Sequence, residues 1–375
     1  MSWQSCRLGD VLTLKRGHDL PEYSRQDGDV PVVSSSGITG RHKEAKATAP
    51  GVVTGRYGTI GEVFYLEEDY WPLNTALYVI DFKGNDPRFS AYFLRNVLKG
   101  YQSEKAAIPG VDRNVLHEIK VRAPPSALQL RIADVLSTYD DLIENNRRRM
   151  ALLEESARLL YREWFVRLRF PGYEHTPIVN GVPQGWERRT LAQLTSFLKR
   201  GITPTYDDDA EGLVINQKCV RNGRVNLELA GNQSTEVKPE RVLQVGDVLV
   251  NSTGEGTLGR VAQVKVPLDN CTVDTHVTIV RPYESSGRHY FGQALMDWES
   301  RFSTMGKGAT NQTELSPAAI GETAILLPSH SLLQQFETFA EPLYEQVSNL
   351  TGQNQKLCTA RDLLLPRLMS GALAV

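Results

Sequence analysis

Two stretches of the chain carry apolar side chains at alternating spacings of four and three residues. This spacing lines one face of a helix that packs against another helix. The stripes run from Ile132 to Trp164 and from Phe336 to Leu368, and we expect a long helix at each. Two stripes in one chain favour packing of the helices on each other over separate packing on their own domains. The positions expected to pair are Ile132, Leu136, Ile143, Asn146, Leu153, Leu160, Leu343, Val347, Asn354, Leu357 and Leu364.

Each stripe contains one asparagine, Asn146 in the first and Asn354 in the second. A polar residue in such a stripe commonly fixes the register of the two helices at some cost in stability. Pro342 lies inside the second stripe. Proline removes a backbone donor and clashes with the preceding turn. We therefore expect a break or kink near Glu341 that divides the second helix into two pieces.

The regions before the stripes contain short β-branched runs, such as 51–54, 79–82 and 247–250, separated by Gly-rich turns. This pattern predicts mixed α/β domains. The composition changes at Pro124 and again at Pro328. The predicted segments are therefore a first domain (1–125), a central helix (126–170), a linker with a second domain (171–328) and a C-terminal helix (329–375).

Short motifs occur twice, and in the same order. The recurring pairs are Trp3 with Trp186, 15–17 with 199–201, 58–61 with 256–259, and Pro124 with Pro328. Each match is weak alone, but four in order indicate an internal duplication. The expected fold class is therefore α+β, with two duplicated mixed α/β domains joined by two long helices that pack on each other.

The chain has 375 residues and a net charge of −2, which suits two domains and excludes a bulk electrostatic grip on nucleic acid. DNA binding would need local basic patches or partner subunits. Its four cysteines form no Cys-x-x-Cys pair, so reduced thiols in the cytoplasm are expected. No apolar run is long enough for a membrane span, and no secretory signal is expected at the N-terminus.

Motifs for catalysis are missing from the sequence. The Pro-Pro pair at Pro124 lacks the preceding amide or acid and the following aromatic residue of amino-methyltransferases. No phosphate-binding loop is present. Glu44-Ala45-Lys46 matches a nuclease motif in letters only, and the histidines lack metal-ligand spacing. We expect neither a catalytic site nor a metal site.

Basic residues and amides cluster in Gly- and Ser-rich loops at corresponding places of the two halves. Arginine and lysine can bond guanine or phosphate, and asparagine and glutamine can bond adenine. Any one such residue is more often a solvated surface residue, but the set favours DNA contact. The candidates are Lys15, Arg16, Arg41, Lys43, Arg56, Tyr57, Lys105, Arg113, Lys199, Arg200, Gln217, Lys218, Ser252, Lys307, Thr310, Asn311 and Gln312.

Motifs along nearly the whole chain resemble the specificity (S) subunits of type I restriction–modification systems. In the first half these are 3–10, 55–61, 74–77 and 107–110; in the helical region 132–136, 140–146 and 159–165; and in the second half 308–312 and 364–371. The resemblance implies that each domain is a target-recognition domain reading one half of a bipartite site in double-stranded DNA. It also implies that the helices form an antiparallel intramolecular coiled coil that sets the spacer.

The same resemblance implies that two adenine-N6 methyltransferase subunits dock on the helices and that restriction–translocase subunits join them. The chain would then have no cofactor of its own, because S-adenosylmethionine, Mg²⁺ and ATP would belong to its partners. A helix from Ile132 to Trp164 is roughly 50 Å long at about 1.5 Å per residue, which suits half-sites about one DNA turn apart. Two alternatives remain: a self-contained endonuclease or methyltransferase with duplicated domains, and an assembly scaffold that reads no sequence.

Overall fold

The computed structural model describes residues 3–56, 61–104, 112–306 and 313–375. The chain divides into two compact units. Unit 1 consists of Met1–Asn146 and Gln353–Val375, and unit 2 consists of Arg147–Gly352. Both units are mixed α/β, as expected, and both long helices pass from one unit into the other. No helix in the described ranges is long and apolar enough to cross a membrane.

Unit 1 contains nine labelled strands and the first helices of the chain. The strands are β1 (Gln4–Arg7), β2 (Thr13–Arg16), β3 (Val30–Ser34), β4 (Gly37–His42), β5 (Gly51–Gly55), β6 (Val63–Leu66), β7 (Trp71–Pro72), β8 (Ala76–Asp81) and β9 (Lys120–Ala123). The helices are α1 (Leu8–Val11), α2 (Pro87–Glu104), α3 (Arg113–His117) and α4 (Ser126–Tyr161), of which α4 ends in unit 2.

The main sheet of unit 1 has the strand order β2-β8-β5-β6, and all its neighbours are antiparallel. A second sheet has the order β4-β3-β7, with β3 parallel to β7, and β1 pairs with β9. Because β2 and β5 both run antiparallel to β8, their C-terminal ends lie at one edge of the sheet. At that edge Arg16 lies opposite Leu77, and Gly55 lies opposite Ala76.

Unit 2 contains the remaining strands and helices. Its strands are β10 (Ile178–Val179), β11 (Val182–Pro183), β12 (Glu187–Thr190), β13 (Thr195–Arg200), β14 (Gly212–Ile215), β15 (Val220–Arg221), β16 (Arg224–Val225), β17 (Gly231–Gln233), β18 (Val248–Asn251), β19 (Val261–Gln263), β20 (Cys271–Val273), β21 (Val277–Pro282) and β22 (Ala324–Leu327). Its helices are α5 (Leu191–Leu194), α6 (Arg288–Asp297), α7 (Glu299–Phe302), α8 (Pro317–Glu322) and α9 (His330–Ser370), of which α9 ends in unit 1.

The sheets of unit 2 repeat the arrangement of unit 1. The main sheet has the order β13-β21-β18-β19, the second has the order β17-β14-β20 with β14 parallel to β20, and β12 pairs with β22. The C-terminal ends of β13 and β18 again lie at one edge, where Arg200 is opposite Thr278 and Asn251 is opposite Val277.

Within unit 1, α4 and α9 pack against each other and run antiparallel. Asn146 Nδ2 donates to Asn354 Oδ1 at 2.9 Å, and Asn354 Nδ2 donates to the carbonyl of Ile143 at 3.2 Å. Further toward the start of α4, Asp140 accepts from Arg361 at 2.5 Å. Partner numbers rise along α9 as they fall along α4, which gives the antiparallel direction.

Within unit 2 the same two helices pack in the same sense. Thr351 contacts Met150, and the ring of Phe336 packs on Tyr161 and Trp164. Trp164 lies in a π-helical turn, Arg162–Val166, that continues α4. None of the eleven residues expected to pair is exposed: Ile132, Leu136, Ile143, Asn146 and Val347 are buried, and Leu153, Leu160, Leu343, Asn354, Leu357 and Leu364 are half-buried.

The expected break at Pro342 is wrong, because α9 is one helix from His330 to Ser370. Proline costs the helix a single backbone hydrogen bond, to the carbonyl of Thr338. The ring of Pro342 lies on the exposed face of the helix, while Ala340 and Tyr344 on either side are buried in the core of unit 2. Burial of these neighbours offsets the lost hydrogen bond and keeps the helix continuous.

Candidate nucleic-acid interface

The C-terminal ends of β2 and β5 bring several candidate residues together in unit 1. We call this surface edge 1; it comprises residues 15–18, 55–56 and 74–76. Lys15 and Arg16 come from one motif and Arg56 from another, and they lie together here. The backbone N–H of Gly17 donates to the carbonyl of Ala76 at 3.1 Å, and that of His18 donates to Pro72 at 2.8 Å.

The matching surface of unit 2, which we call edge 2, comprises residues 199–202, 251–252 and 274–277. The N–H of Gly201 donates to the carbonyl of Val277 at 3.1 Å, and that of Ile202 donates to Val273 at 2.9 Å. Asn251 Nδ2 donates to the carbonyl of Gln217 at 2.9 Å. This bond places Gln217 and the exposed Lys218 beside edge 2.

A glycine at each edge permits a close backbone approach. A Cβ on Gly17 would lie 2.1 Å from the carbonyl oxygen of Leu73, and one on Gly201 would lie 1.8 Å from that of Val273. No side chain fits at such distances, so Lys-Arg-Gly recurs for a steric reason. The glycines hold the preceding Lys-Arg pairs in the same place in both units.

Two charged residues of edge 1, Lys15 and Arg16, are open to solvent. No residue in the described ranges forms an ion pair with either. One carboxylate lies close by, that of Asp19, which accepts from Asn74 Nδ2. The pKa of His18 is lowered, first by partial burial and then by the positive charges of Lys15 and Lys46, so the imidazole is disposed to stay neutral.

The arginine of edge 2 is held by neighbouring groups. Arg200 Nη2 lies 2.6 Å from Glu314 Oε1 and 3.4 Å from the carbonyl oxygen of Leu315. Its Nε is buried without a hydrogen-bond partner. Ser252, another candidate, is fully buried, and its hydroxyl lies 2.6 Å from that of Thr278. The structure therefore gives Ser252 no access to a ligand.

The remaining described candidates lie on other elements. Arg41 and Lys43 are at the end of the β3–β4 hairpin, where Arg41 donates to the carbonyl of Asp29 and Lys43 lies 3.9 Å from Glu44. Arg113 is the first residue of α3 and is exposed. The candidates outside the described residues are Tyr57, Lys105, Lys307, Thr310, Asn311 and Gln312.

Sequence reasoning missed two carboxylates at edge 2. Glu314 follows the candidate run 310–312 by two residues, and Asp274 forms the parallel bridge with Ile202. The Asp274 side chain is nearly buried and accepts from His276 N and Nδ1, both at 2.9 Å. No local sequence pattern points to Glu314.

One group of side chains in unit 2 has metal-ligand chemistry. His289, Glu337 and Glu341 have ligand atoms within 4.8 Å of one another. However, the Glu337 carboxylate already accepts the backbone N–H groups of His289 and Tyr290, which start α6. A metal on His289 Nε2 would require a proton on Nδ1, which is buried without a partner. The group is explained by helix capping, and we assign it no ion.

The fold is similar to that of a protein of known structure. The chain superimposes on the S subunit of a type I restriction-modification system from M. genitalium with a TM-score of 0.57, covering 98% of this chain and 96% of that chain at 16% identity. At this identity the likeness establishes the fold alone.

Sequence comparison finds similar proteins as well. Residues 1–155 match the family model described as "Type I restriction modification DNA specificity domain". The MjaIX specificity subunit of Methanocaldococcus jannaschii is 25% identical over 285 residues, which cover 72% of this chain and 64% of that protein. The HindI specificity subunit of Haemophilus influenzae is 21% identical over 341 residues, 72% of each chain.

The chain therefore aligns with less than two thirds of the length of the MjaIX subunit. The match to the family model lies within the first half of the chain, and the similarity to type I specificity subunits covers 72% of it. The resemblance predicted from its motifs is confirmed.

Proposed function

We propose that this chain is the DNA sequence-specificity subunit of a type I restriction–modification complex, and that each unit reads one half of a bipartite site. The observation that carries the proposal is the correspondence of edges 1 and 2. In both units the same strand order presents a Lys-Arg-Gly turn beside the end of a second strand. Basic and amide side chains at such an edge can contact phosphates and base edges.

We also propose that the two units arose by internal duplication and that α4 and α9 form an antiparallel coiled coil that sets the DNA spacer. The matching strand orders support the duplication. The buried or half-buried stripe residues and the Asn146–Asn354 hydrogen bond support the coiled coil. An asparagine pair inside an apolar stripe is satisfied in one register only, so it would fix the spacer length.

The outer face of the first long helix supports docking of partner subunits. Leu152, Leu159 and Val166 are spaced seven residues apart, and their exposed fractions are 68%, 50% and 51%. An exposed apolar row at heptad spacing suits packing of another helix. We propose that two adenine-N6 methyltransferase subunits dock on the helices and that restriction–translocase subunits join this core.

In this proposal the chain catalyses no reaction itself. S-adenosylmethionine, Mg²⁺ and ATP serve the partner subunits, which carry out methylation, cleavage and translocation. Incubating the purified chain alone with DNA, S-adenosylmethionine and Mg²⁺ tests this division of labour. Methyl transfer or cleavage without a partner would replace the proposal with the alternative of a self-contained enzyme.

The decisive experiment is a methylome. The chain is expressed with the methyltransferase encoded beside it, in a host lacking adenine methylation, and N6-methyladenine is mapped by long-read sequencing. We expect one split motif with a methylated adenine in each half, absent when this chain is omitted. An unsplit motif, or the same motif without this chain, would contradict the proposal and leave the scaffold alternative.

A further inference from the structure

We infer that the two units hold DNA by different chemistry. Edge 1 supplies ionic contacts to the phosphates, whereas edge 2 reads its half-site mainly through uncharged groups. The reason is that Arg200 of edge 2 already forms an ion pair with Glu314. The inference rests on the proposed function, since it concerns how the proposed half-sites are bound. It distinguishes two arginines that occupy equivalent places in the sequence.

Arg16 and Arg200 are equivalent in the fold. Each is the last residue of the first strand of the main sheet and precedes the closely packed glycine. Each lies opposite a residue of the neighbouring strand in the main sheet: Arg16 is opposite Leu77 of β8, and Arg200 is opposite Thr278 of β21. The difference between them therefore comes from neighbouring side chains and not from the backbone.

The guanidinium of Arg200 is engaged within its own unit. It bonds Glu314 at 2.6 Å and reaches the carbonyl of Leu315, and its side chain is only 26% exposed. A phosphate oxygen approaching Arg200 would have to displace a carboxylate of the same sign. Arg16 is exposed, and no ion pair to it occurs among the described residues, so a phosphate can bind it at no such cost.

A second carboxylate adds to the contrast. The bridge position beside the edge is Leu73 in unit 1 and Asp274 in unit 2. Asp274 therefore places a carboxylate, which lies 2.9 Å from His276 Nδ1, where unit 1 has an apolar side chain. Edge 1 has a carboxylate in Asp19, but that residue is exposed and already accepts from Asn74. Lys199 is exposed at edge 2, and the exposed Lys218 lies beside it.

At edge 2, the uncharged side chain of Gln217 is available for a base contact in place of Arg200. Gln217 is held by its carbonyl, which accepts from Asn251 Nδ2, and within the described ranges its side-chain amide makes no hydrogen bond. A glutamine amide can bond adenine through two hydrogen bonds. The backbone contact fixes the residue and leaves the amide available for a base.

Salt dependence separates the two kinds of contact. Each phosphate contact adds about 0.9 to the magnitude of the slope of log affinity against log salt concentration. A variant that lacks one such contact therefore loses about 3.5-fold less affinity than the wild type when salt rises from about 50 to about 200 mM. Hydrogen bonds to bases release no counterions and leave this slope unchanged. The slope therefore reports which arginine neutralises a phosphate.

The experiment measures this slope for the complex of the full chain with its methyltransferase subunits, on DNA carrying the split motif found in the methylome. Arg16→Ala is expected to lower the slope by about 0.9. Arg200→Ala is expected to lower it by less than half as much. Glu314→Gln frees Arg200 and is expected to raise the slope by up to about 0.9, and adding Arg200→Ala to Glu314→Gln removes that gain.

Arg122→Ala and Arg188→Ala are matched controls for the loss of one positive charge. Both arginines are exposed and lie on corresponding strands, β9 and β12, away from the two main sheets. We expect the slope of each to stay at the wild-type value. Equal losses in Arg16→Ala and Arg200→Ala, no change in Arg16→Ala, or no gain in Glu314→Gln would overturn the inference while specific binding persisted. Loss of all sequence preference in the wild-type complex would instead defeat the proposed function.

Discussion

Edges 1 and 2 agree in their backbones and differ in their charges. Gly17 and Gly201 donate to equivalent carbonyls at the same distance, 3.1 Å, and the next residues, His18 and Ile202, donate at 2.8 and 2.9 Å. Yet Arg16 is open while Arg200 is bound to Glu314. The backbone at these edges is constrained by sterics and buried strands, whereas an exposed side chain is free to change its partner.

Under the proposed function, this difference would let one scaffold recognise two sequences. The strand ends fix where side chains emerge, and the identity of those side chains decides what is bound. A carboxylate at position 314 changes the role of an arginine without moving the strand that carries it.

The largest expected effect is from adding a methyl group at the shared glycines. Gly17→Ala and Gly201→Ala each push a Cβ into a backbone oxygen, so we expect each to destabilise its own unit by about 3 kcal/mol. Hydrogen exchange resolved along the chain checks this, because protection should fall in unit 1 for the first variant and in unit 2 for the second. Gly352→Ala is the control: its Cβ would meet nothing within 4 Å, so stability should hold or rise. Equal protection in all three variants would contradict the shared steric role.

Features set by local sterics and periodicity could be predicted from the sequence. The repeated Lys-Arg-Gly motif marks corresponding places in the two halves, and the spacing of four and three indicates the face of each long helix that is covered. The prediction of a break at Pro342 is wrong because burial of Ala340 and Tyr344 in the core of unit 2 outweighs the hydrogen bond lost at the proline. Glu314 could not be anticipated, because its bond to Arg200 joins residues 114 positions apart, which no local pattern specifies.

The next largest effect concerns the exposed leucines of α4, whose spacing differs between the two units. Unit 2 exposes Leu152 and Leu159 one heptad apart on α4, whereas the exposed leucines of α4 in unit 1, Leu130 and Leu142, do not lie one heptad apart. The double change Leu152→Glu with Leu159→Glu should weaken methyltransferase binding about 100-fold, or about 2.7 kcal/mol, since charges replace an apolar docking row.

Pull-down of the methyltransferase and calorimetric titration measure this loss. Leu229→Glu is the matched control, because Leu229 is similarly exposed at 49% but lies in a short turn of unit 2 away from the long helices. Binding by the double variant at wild-type affinity would place the docking surface elsewhere.

A smaller effect concerns the ion pairs that hold the first long helix, α4, in unit 2. In unit 2, Glu154 bonds Lys265 at 2.7 Å and also bonds Arg224. Burial alone would raise the pKa of Glu154, but Lys265 and Arg224 outweigh it, and the pKa is lowered. Because the folded pKa lies below the unfolded value of about 4.3, this stabilisation is complete above that pH and is lost as the pH falls through the folded pKa.

Glu154→Gln should therefore cost about 2 kcal/mol at neutral pH, and the cost should vanish in acid. Unfolding followed as a function of pH measures it. Glu155→Gln serves as the control, since Glu155 forms only an exposed pair with Arg158, worth about 0.5 kcal/mol or less. A cost that stayed constant down to the acid limit would show that packing, and not the ion pairs, holds Glu154.

The last prediction changes the helical region and leaves both edges intact. Seven residues are inserted in α4 between Arg147 and Arg148 and seven in α9 between Gly352 and Gln353, which preserves the heptad phase of both stripes. Each insertion lengthens its helix by roughly 10 Å, about three base pairs at about 3.4 Å each. In the methylome, both half-sites should keep their sequences while the unread spacer grows by about that number, because the side chains that read DNA are unchanged. Seven residues inserted in the exposed turn at Asn180 should leave the spacer as it was. A changed half-site would contradict this prediction. An unchanged spacer with both helices extended would also contradict it, because the helices would then not set the spacing between the two half-sites.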